Sequence, residues 1–132
     1  MENKTPFNLE AEQSLLGTML IDNSIIDEIT DIVKNEHFYE PIHQCVFSAI
    51  LQITGQGKLA DGITLHSQLA TTGLLDDIGG ASYIAILVDA CGESFAAIDY
   101  AKFILEQYQR REALRITSAF GSLILSDTER PI

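Results

Sequence analysis

The chain has 132 residues, 46% of them hydrophobic, and its 19 acidic residues outnumber 8 basic ones to give a formal net charge of −11. This length and apolar content predict one domain with a packed core, which excludes global disorder. Because nucleic-acid affinity rests on Lys and Arg side chains that neutralise phosphates, the charge balance argues against DNA binding by this domain itself and favours a basic partner or simple solubility.

The first helix is predicted over about Leu9–Leu20. Asn8 can accept a backbone hydrogen bond at its start, and Glu10 and Glu12 are interpreted as solvated N-terminal charges that favour the positive end of the helix dipole. The apolar face of this helix consists of Leu15, Leu16, Met19 and Leu20.

The second and third helices begin at two different kinds of signal. Ser24 and Asp27 have the spacing of a capping box at the start of the second helix, and Pro41 suits the first turn of the third. Gly55 and Gly57 are predicted to end the third helix. The apolar faces comprise Ile25, Ile26, Ile29, Ile32 and Val33 in the second helix, and Ile42, Val46, Phe47, Ile50 and Leu51 in the third.

The fourth and fifth helices are marked by glycines. Thr64 is predicted to cap the fourth helix, and Gly73 fits its left-handed end, where Leu69 can pack against Leu74 as in a Schellman motif. Gly79-Gly80 is predicted to introduce the fifth helix. Its inward positions are Tyr83, Ile84, Leu87 and Val88.

The last helical pattern is the longest, from about Phe95 to Leu125, with Ser94 as its predicted cap. A late apolar stripe extends beyond the point where a small domain would cover it. Two interpretations are open: the helix bends back onto its own core, or the stripe packs on another subunit. The candidate self-association residues are Leu114, Ile116, Phe120, Leu123 and Ile124.

The predicted fold class is all-α, a small bundle of about five short helices followed by a long helix that begins a helical hairpin. The predicted organisation is an N-terminal arm over residues 1–8, a globular bundle over 9–94, an associating helix over 95–126 and a polar tail or linker over 127–132.

No motif in the chain predicts catalysis. Gly55-Gln56-Gly57-Lys58 is the nearest approach to a P-loop, but it follows a helix and has Leu59 where a hydroxyl must bind magnesium. His43 is interpreted as a hydrogen-bonding residue near the start of a helix, with a small enzyme built around His43 and Glu40 as an open alternative. No catalytic, cofactor-binding or metal-ligating residue is predicted.

The sequence contains no predicted signal for a membrane or for secretion. No run of 18 apolar residues suggests a membrane span, and Met1–Thr5 lacks the features of a signal peptide. Cys45 and Cys91 have neither metal-ligand nor CxxC spacing and are interpreted as reduced, buried thiols. We therefore expect a cytoplasmic protein.

Five short signatures in a fixed order resemble the N-terminal domain of the bacterial replicative DNA helicase, the DnaB family. The resemblance covers about Pro6 to Leu125. The signatures are Glu10–Gly17, Phe38–His43, Asp61–Leu65, Gly79–Ile84 and Tyr100–Ile104.

The resemblance implies a function that the residues alone do not name. Family members begin with a helical bundle and a hairpin that form a collar in a ring-shaped hexamer, and primase docks on that collar. A motor domain that uses ATP and Mg²⁺ follows in the family and unwinds DNA from 5′ to 3′.

For this chain, the resemblance implies self-association as a dimer, or as a hexamer in the full-length protein, and docking of primase and possibly a helicase loader. DNA and ATP would be handled only by the motor domain, which this sequence lacks. The alternative is a free-standing helical adaptor that never carries a motor.

Overall fold

The computed structural model describes residues 5–129, with the side chains of residues 5–121 and of Leu123. All regular elements in this range are helical, which confirms the predicted all-α class of short helices followed by one long helix. The α-helices are α1 (Leu9–Ile21), α2 (Ile26–Ile32), α3 (Pro41–Gly55), α4 (Gly62–Thr71), α5 (Leu75–Ile78), α6 (Gly80–Asp89) and α7 (Ser94–Glu129), with 3₁₀ turns at Asn23–Ile25 and Asn35–His37.

Helix α1 is the centre of the bundle, since α3, α6 and α7 all pack against it. Its predicted apolar face is confirmed, because Leu15, Leu16 and Met19 have no exposed surface. The predicted faces of the other helices are confirmed in their central residues, with Ile29, Val46 and Phe47 among the most buried.

Two hydroxyl residues predicted as caps, Ser24 and Thr64, are not caps, because aspartates accept the bonds instead, and the third, Ser94, lies inside α7 as its first residue. Asp22, not Ser24, accepts from the Ser24 backbone N–H at 3.0 Å, and the hydroxyls of Ser24 and Ser94 both donate to the Asp22 carboxylate. Asp61, not Thr64, caps α4 by accepting from the Thr64 N–H at 2.9 Å. Hydrogen bonds from Ser24 and Ser94 lower the pKa of Asp22.

The predicted end of α4 is confirmed. Gly73 has a φ of +76°, the Leu74 N–H donates to the Leu69 carbonyl at 2.8 Å, and the Gly73 N–H donates to the Ala70 carbonyl. These are the two hydrogen bonds of a Schellman motif. The one-turn helix α5 follows directly and was not predicted.

Helix α7 changes its surroundings along its length. Ala97, Ala101 and Ile104 are buried against the bundle, whereas every residue from 113 to 120 is exposed. The helix therefore does not bend back onto its own core over this range. It also continues through Glu129, three residues into the predicted tail, since no proline precedes Pro131 in this stretch and the helix accommodates Gly121.

Among the described residues, no single helix is both long and apolar enough to cross a membrane. Gly80–Asp89 and Ser94–Gly121 meet the length and composition criteria only when they are joined, and the chain bends by 111° between them.

Candidate association surface

An exposed apolar stripe runs along the segment of α7 from residue 113 to 123, called late α7 below. Ile116, Phe120 and Leu123 are 58%, 63% and 65% exposed, and their i, i+4, i+7 spacing places them on one face of the helix. Leu114 is also exposed, but two residues along a helix correspond to a rotation of about 200°, so it does not share the face of Ile116. The side chain of Ile124 lies outside the described residues.

This stripe can do one thing chemically, which is to bury apolar surface against another helix. Fully burying a side chain of this size contributes about 1.5–3 kcal/mol. Over the described part of the chain, nothing covers Ile116, Phe120 or Leu123. The prediction that these residues mediate self-association stays a prediction, with an exposed and geometrically continuous face in its support.

Just before the stripe, Arg111 ties α7 to two other parts of the chain. Its guanidinium donates to the Pro6 carbonyl at 2.9 Å and to the His37 carbonyl at 2.8 Å. The same group lies 5.4 Å from the Tyr39 ring centroid and 5.7 Å from that of Tyr108. A planar cation with several donors is suited to this combination of carbonyl and ring contacts.

The N-terminal segment, residues 5–8, is held at the same place. Phe7 stacks on Tyr39 with ring centroids 4.2 Å apart and planes 8° from parallel.

His37 accepts a hydrogen bond from the Lys34 N–H at 2.8 Å through Nδ1, which requires an unprotonated nitrogen. Burial lowers the pKa of His37, and the charges of Lys34 and Arg111 lower it further against the opposing effect of Glu36.

Replacing Arg111 with lysine should release the N-terminal segment, because one ammonium group cannot reach both carbonyls and lie between the rings. We expect faster hydrogen exchange in the peptide covering residues 5–12 and a loss of about 1–3 kcal/mol in the free energy of unfolding. Arg115→Lys is the control, since among the described residues Arg115 forms an exposed ion pair with Glu112 and lies away from the N-terminal segment. Equal exchange in both variants would contradict this role of Arg111.

The second polar feature is a buried network at the centre of the bundle. Glu12 and His43 are 2% and 0% exposed, and Glu12 Oε1 lies 2.7 Å from His43 Nδ1. His43 Nε2 lies 2.6 Å from the Tyr83 hydroxyl, which also accepts from the Gln13 side-chain amide at 3.1 Å. The Glu12 carboxylate further accepts from the Tyr39 N–H at 2.7 Å.

The tautomer that satisfies every atom has His43 donating from Nδ1 to Glu12 and accepting at Nε2 from Tyr83. Burial raises the pKa of Tyr83, so its hydroxyl keeps the proton that this bond requires. Throughout the described part of the chain, every buried side-chain nitrogen and oxygen has a hydrogen-bond partner. The network is thus a fully satisfied interior cluster.

This geometry corrects two expectations about the acidic residues. Glu12 is not a solvated charge, and it, rather than Glu40, is the carboxylate that pairs with His43. The Glu40 side chain instead accepts from the Ile42 N–H at the start of α3. Both ring nitrogens of His43 are bonded to buried groups, so the ring presents no open position to a substrate.

Within the residues that the structure describes, no group of three His, Cys, Asp or Glu side chains converges to hold a metal ion. The two cysteines are both partly exposed and unbridged rather than fully buried, and burial raises the pKa of the Cys45 thiol.

Sequence reasoning missed Glu12, Tyr83 and Arg111 as organising residues. A signal for Glu12 was present, since it stands three, four and seven residues before Leu15, Leu16 and Met19 and therefore lies on the core face of α1. Arg111 has no comparable signal, because its partners come from residues 6, 37 and 39.

Comparison with known proteins agrees with this fold. The model of the family described as DnaB-like helicase N terminal domain matches residues 4–106. Replicative DNA helicase DnaB of Rickettsia felis is 38% identical over 111 residues, which is 84% of this chain and 22% of that protein. The Geobacillus stearothermophilus helicase of the same name is 31% identical over 120 residues, 91% of this chain and 26% of that protein.

The chain thus spans about a quarter or less of the length of these curated relatives. Its structure matches the crystal structure of the N-terminal domain of DnaB helicase from Mycobacterium tuberculosis with a TM-score of 0.89 and 32% identity. That match covers 97% of this chain and 91% of the other. With the family match over most of the sequence and this agreement of folds, the chain belongs to the family of DnaB-like helicase N-terminal domains.

Proposed function

We propose that this domain assembles the subunits of a replicative DNA helicase through late α7. The observation that carries the proposal is the continuous face of Ile116, Phe120 and Leu123, which is exposed although its composition is that of a core. Assembly would pair two domains, and full-length subunits would form a hexamer. The domain contributes packing surface and no reaction step.

The parent protein would unwind DNA from 5′ to 3′ with ATP and Mg²⁺ bound to a motor domain. The support for this is that relatives named replicative DNA helicase share this domain over only a fraction of their length. The net charge of −11 is consistent with DNA contacts being made elsewhere, since this domain repels phosphates at long range. Such a helicase would act on DNA in the cytoplasm.

We further propose that the assembled domains form a docking platform for primase and, in a second arrangement, for a helicase loader. An acidic surface favours a partner with a basic face and speeds its encounter with the platform. The competing adaptor hypothesis places the same platform on a protein without a motor. The downstream reading frame separates the two, because a P-loop following this domain is incompatible with a motor-free adaptor.

Replacing Phe120 with aspartate should abolish self-association, because a charge would have to be buried in the centre of the apolar face. We expect light scattering to show the monomer mass for Phe120→Asp at concentrations where the unmodified chain is a dimer. Ser118→Asp is the matched control, since Ser118 is exposed about 200° around the helix from Phe120 and gains the same charge. An unchanged mass for Phe120→Asp, or a monomeric unmodified chain, would contradict the assembly proposal.

A further inference from the structure

A second apolar surface lies on the bundle itself, away from late α7. It is a groove of about 660 Å³ between α4 and α6, closed at one end by the last residues of α1. This volume falls in the range of about 300–1,000 Å³ that is typical of binding sites. Ile63 on α4 and Ile21 on α1 stand at its edge, 81% and 61% exposed.

The lining of the groove includes small residues from both helices. Gly62 comes from α4, while Ala81 and Ala85 lie one turn apart on α6, and the buried side chains of Leu20 and Ile84 also line the groove. A Cβ atom at position 62 would lie in ordinary contact with Ile84, 3.6 Å from its Cγ2 atom, so α4 and α6 are close together here. Small residues beside the exposed isoleucines allow a helix to approach closely and to insert apolar side chains at i, i+4 and i+7.

The charges of the groove have one sign. Its acidic lining residues are Asp61 and Asp89, at opposite ends of α4 and α6, beside the imidazole of His66, and no Lys or Arg of the described residues lines it. These carboxylates belong to a domain whose net charge is −11. Charge complementarity therefore favours an occupant with basic residues beside its apolar positions.

We propose that this groove docks a short amphipathic helix of a partner protein, with an apolar face for the Ile21–Ile63 edge and Lys or Arg for the two carboxylates. The surface is separate from late α7, so this proposal stands whether or not late α7 mediates assembly. It assigns the bundle a partner-binding role of its own.

A second copy of this chain is a poorer occupant than a foreign helix. Late α7 is the exposed apolar helix that a copy would offer, but the arginines in it and just before it are already paired. Arg110 pairs with Glu106, Arg111 is bonded to two carbonyls, and Arg115 pairs with Glu112 at 2.9 Å. A copy would bring further net negative charge to an acidic groove.

The test uses the full chain and a designed helical peptide of about 16 residues, with Leu at i, i+4 and i+7 and Lys at the flanking positions. A second peptide has Glu at every Lys position. Fluorescence anisotropy should show binding of the Lys peptide and at least tenfold weaker binding of the Glu peptide. Methyl resonances of Ile84 and Val88 should shift on addition of the Lys peptide.

Ile63→Asp should weaken binding of the Lys peptide at least tenfold without loss of folding, because Ile63 is mostly exposed. Ile86→Asp is the matched control, since Ile86 is an exposed isoleucine on α6 that does not line the groove. Asp89→Lys should shift the preference toward the Glu peptide, and a positive charge at the end of α6 suits the helix dipole.

Three results would overturn the proposal. The first is no binding of the Lys peptide at ~1 mM. The second is equal binding of the two peptides, or equal binding by Ile63→Asp and Ile86→Asp. The third is self-association that is lost in Ile63→Asp without any peptide, which would assign the groove to a second copy. Loss of self-association in Phe120→Asp with peptide binding intact would leave the groove proposal supported independently.

Discussion

Replacing Gly17 with alanine should cost the domain about 3 kcal/mol or more of its free energy of unfolding. Gly17 lies in the buried part of α1, where the backbones of α1 and α6 meet. A Cβ atom at this position would stand 1.9 Å from the Leu87 carbonyl oxygen and 3.1 Å from the Cys91 backbone nitrogen. Because the obstructing atoms are backbone, a rotamer change cannot relieve the overlap and α1 must move away from α6.

The expected loss of stability is opposite to the usual effect of this substitution. Inside a helix, Gly→Ala is normally stabilising by about 1 kcal/mol, because alanine loses less backbone entropy on folding. Gly55→Ala is the control, since Gly55 ends α3 with nothing within 4 Å of the added carbon. Urea denaturation should show a lower midpoint for Gly17→Ala and an unchanged or slightly higher one for Gly55→Ala. Similar midpoints for the two variants would mean that α1 and α6 are not in close contact.

The sequence predicted most of the fold because its apolar residues recur at helical spacing. Periodicity identifies a helix and its inward face, and Leu15, Ile29 and Phe47 were placed correctly on that basis. The short helix α5 was missed because four residues are too few to show a period. The predicted caps at Ser24 and Thr64 were wrong for a chemical reason. Where an aspartate and a hydroxyl residue are both nearby, the charged carboxylate is the stronger acceptor.

The buried polar network could be predicted only in part, as separate inward-facing polar residues on two helices. Glu12 precedes Leu15, Leu16 and Met19 on the face of α1, and His43 occupies the same relation to the apolar face of α3. Each pattern places a polar side chain inward. That the two faces meet, and that Tyr83 completes the network, depends on contacts between residues 31 to 70 positions apart.

The groove between α4 and α6 is a similar case. Gly62 and Ile63 look like the start of one helix, and Ala81 and Ala85 like an ordinary face of another. Only the packing of the two helices against each other brings these small residues together along one groove. Late α7 was easier to predict, because an apolar stripe on one helix is visible without knowledge of its neighbours.

Replacing Glu12 with leucine should be the most destabilising polar substitution, by about 3–5 kcal/mol. The carboxylate is an acceptor for three donors: the His43 Nδ1–H at 2.7 Å, the Tyr39 N–H at 2.7 Å and the Glu40 N–H at 3.3 Å. Leucine accepts none of them, and the His43 donor is fully buried, so that water does not replace the lost acceptor there. Glu10→Leu, in the exposed first turn of α1, is the matched control and should change stability by less than about 1 kcal/mol.

Glu12→Gln keeps the volume of the side chain but removes one of its two acceptor oxygens. The amide oxygen can still accept from His43, but the NH₂ group faces the Tyr39 N–H as a second donor, so we expect a smaller loss of about 1–3 kcal/mol. The double variant Glu12→Leu with His43→Leu should lose less free energy of unfolding than the two single variants lose in sum, because it removes both buried partners together. Strict additivity in thermal or urea unfolding would show that the two side chains are not coupled.

Because Glu12 also fixes the Tyr39 backbone, Glu12→Leu should speed hydrogen exchange in the N-terminal segment, whose Phe7 stacks on the Tyr39 ring.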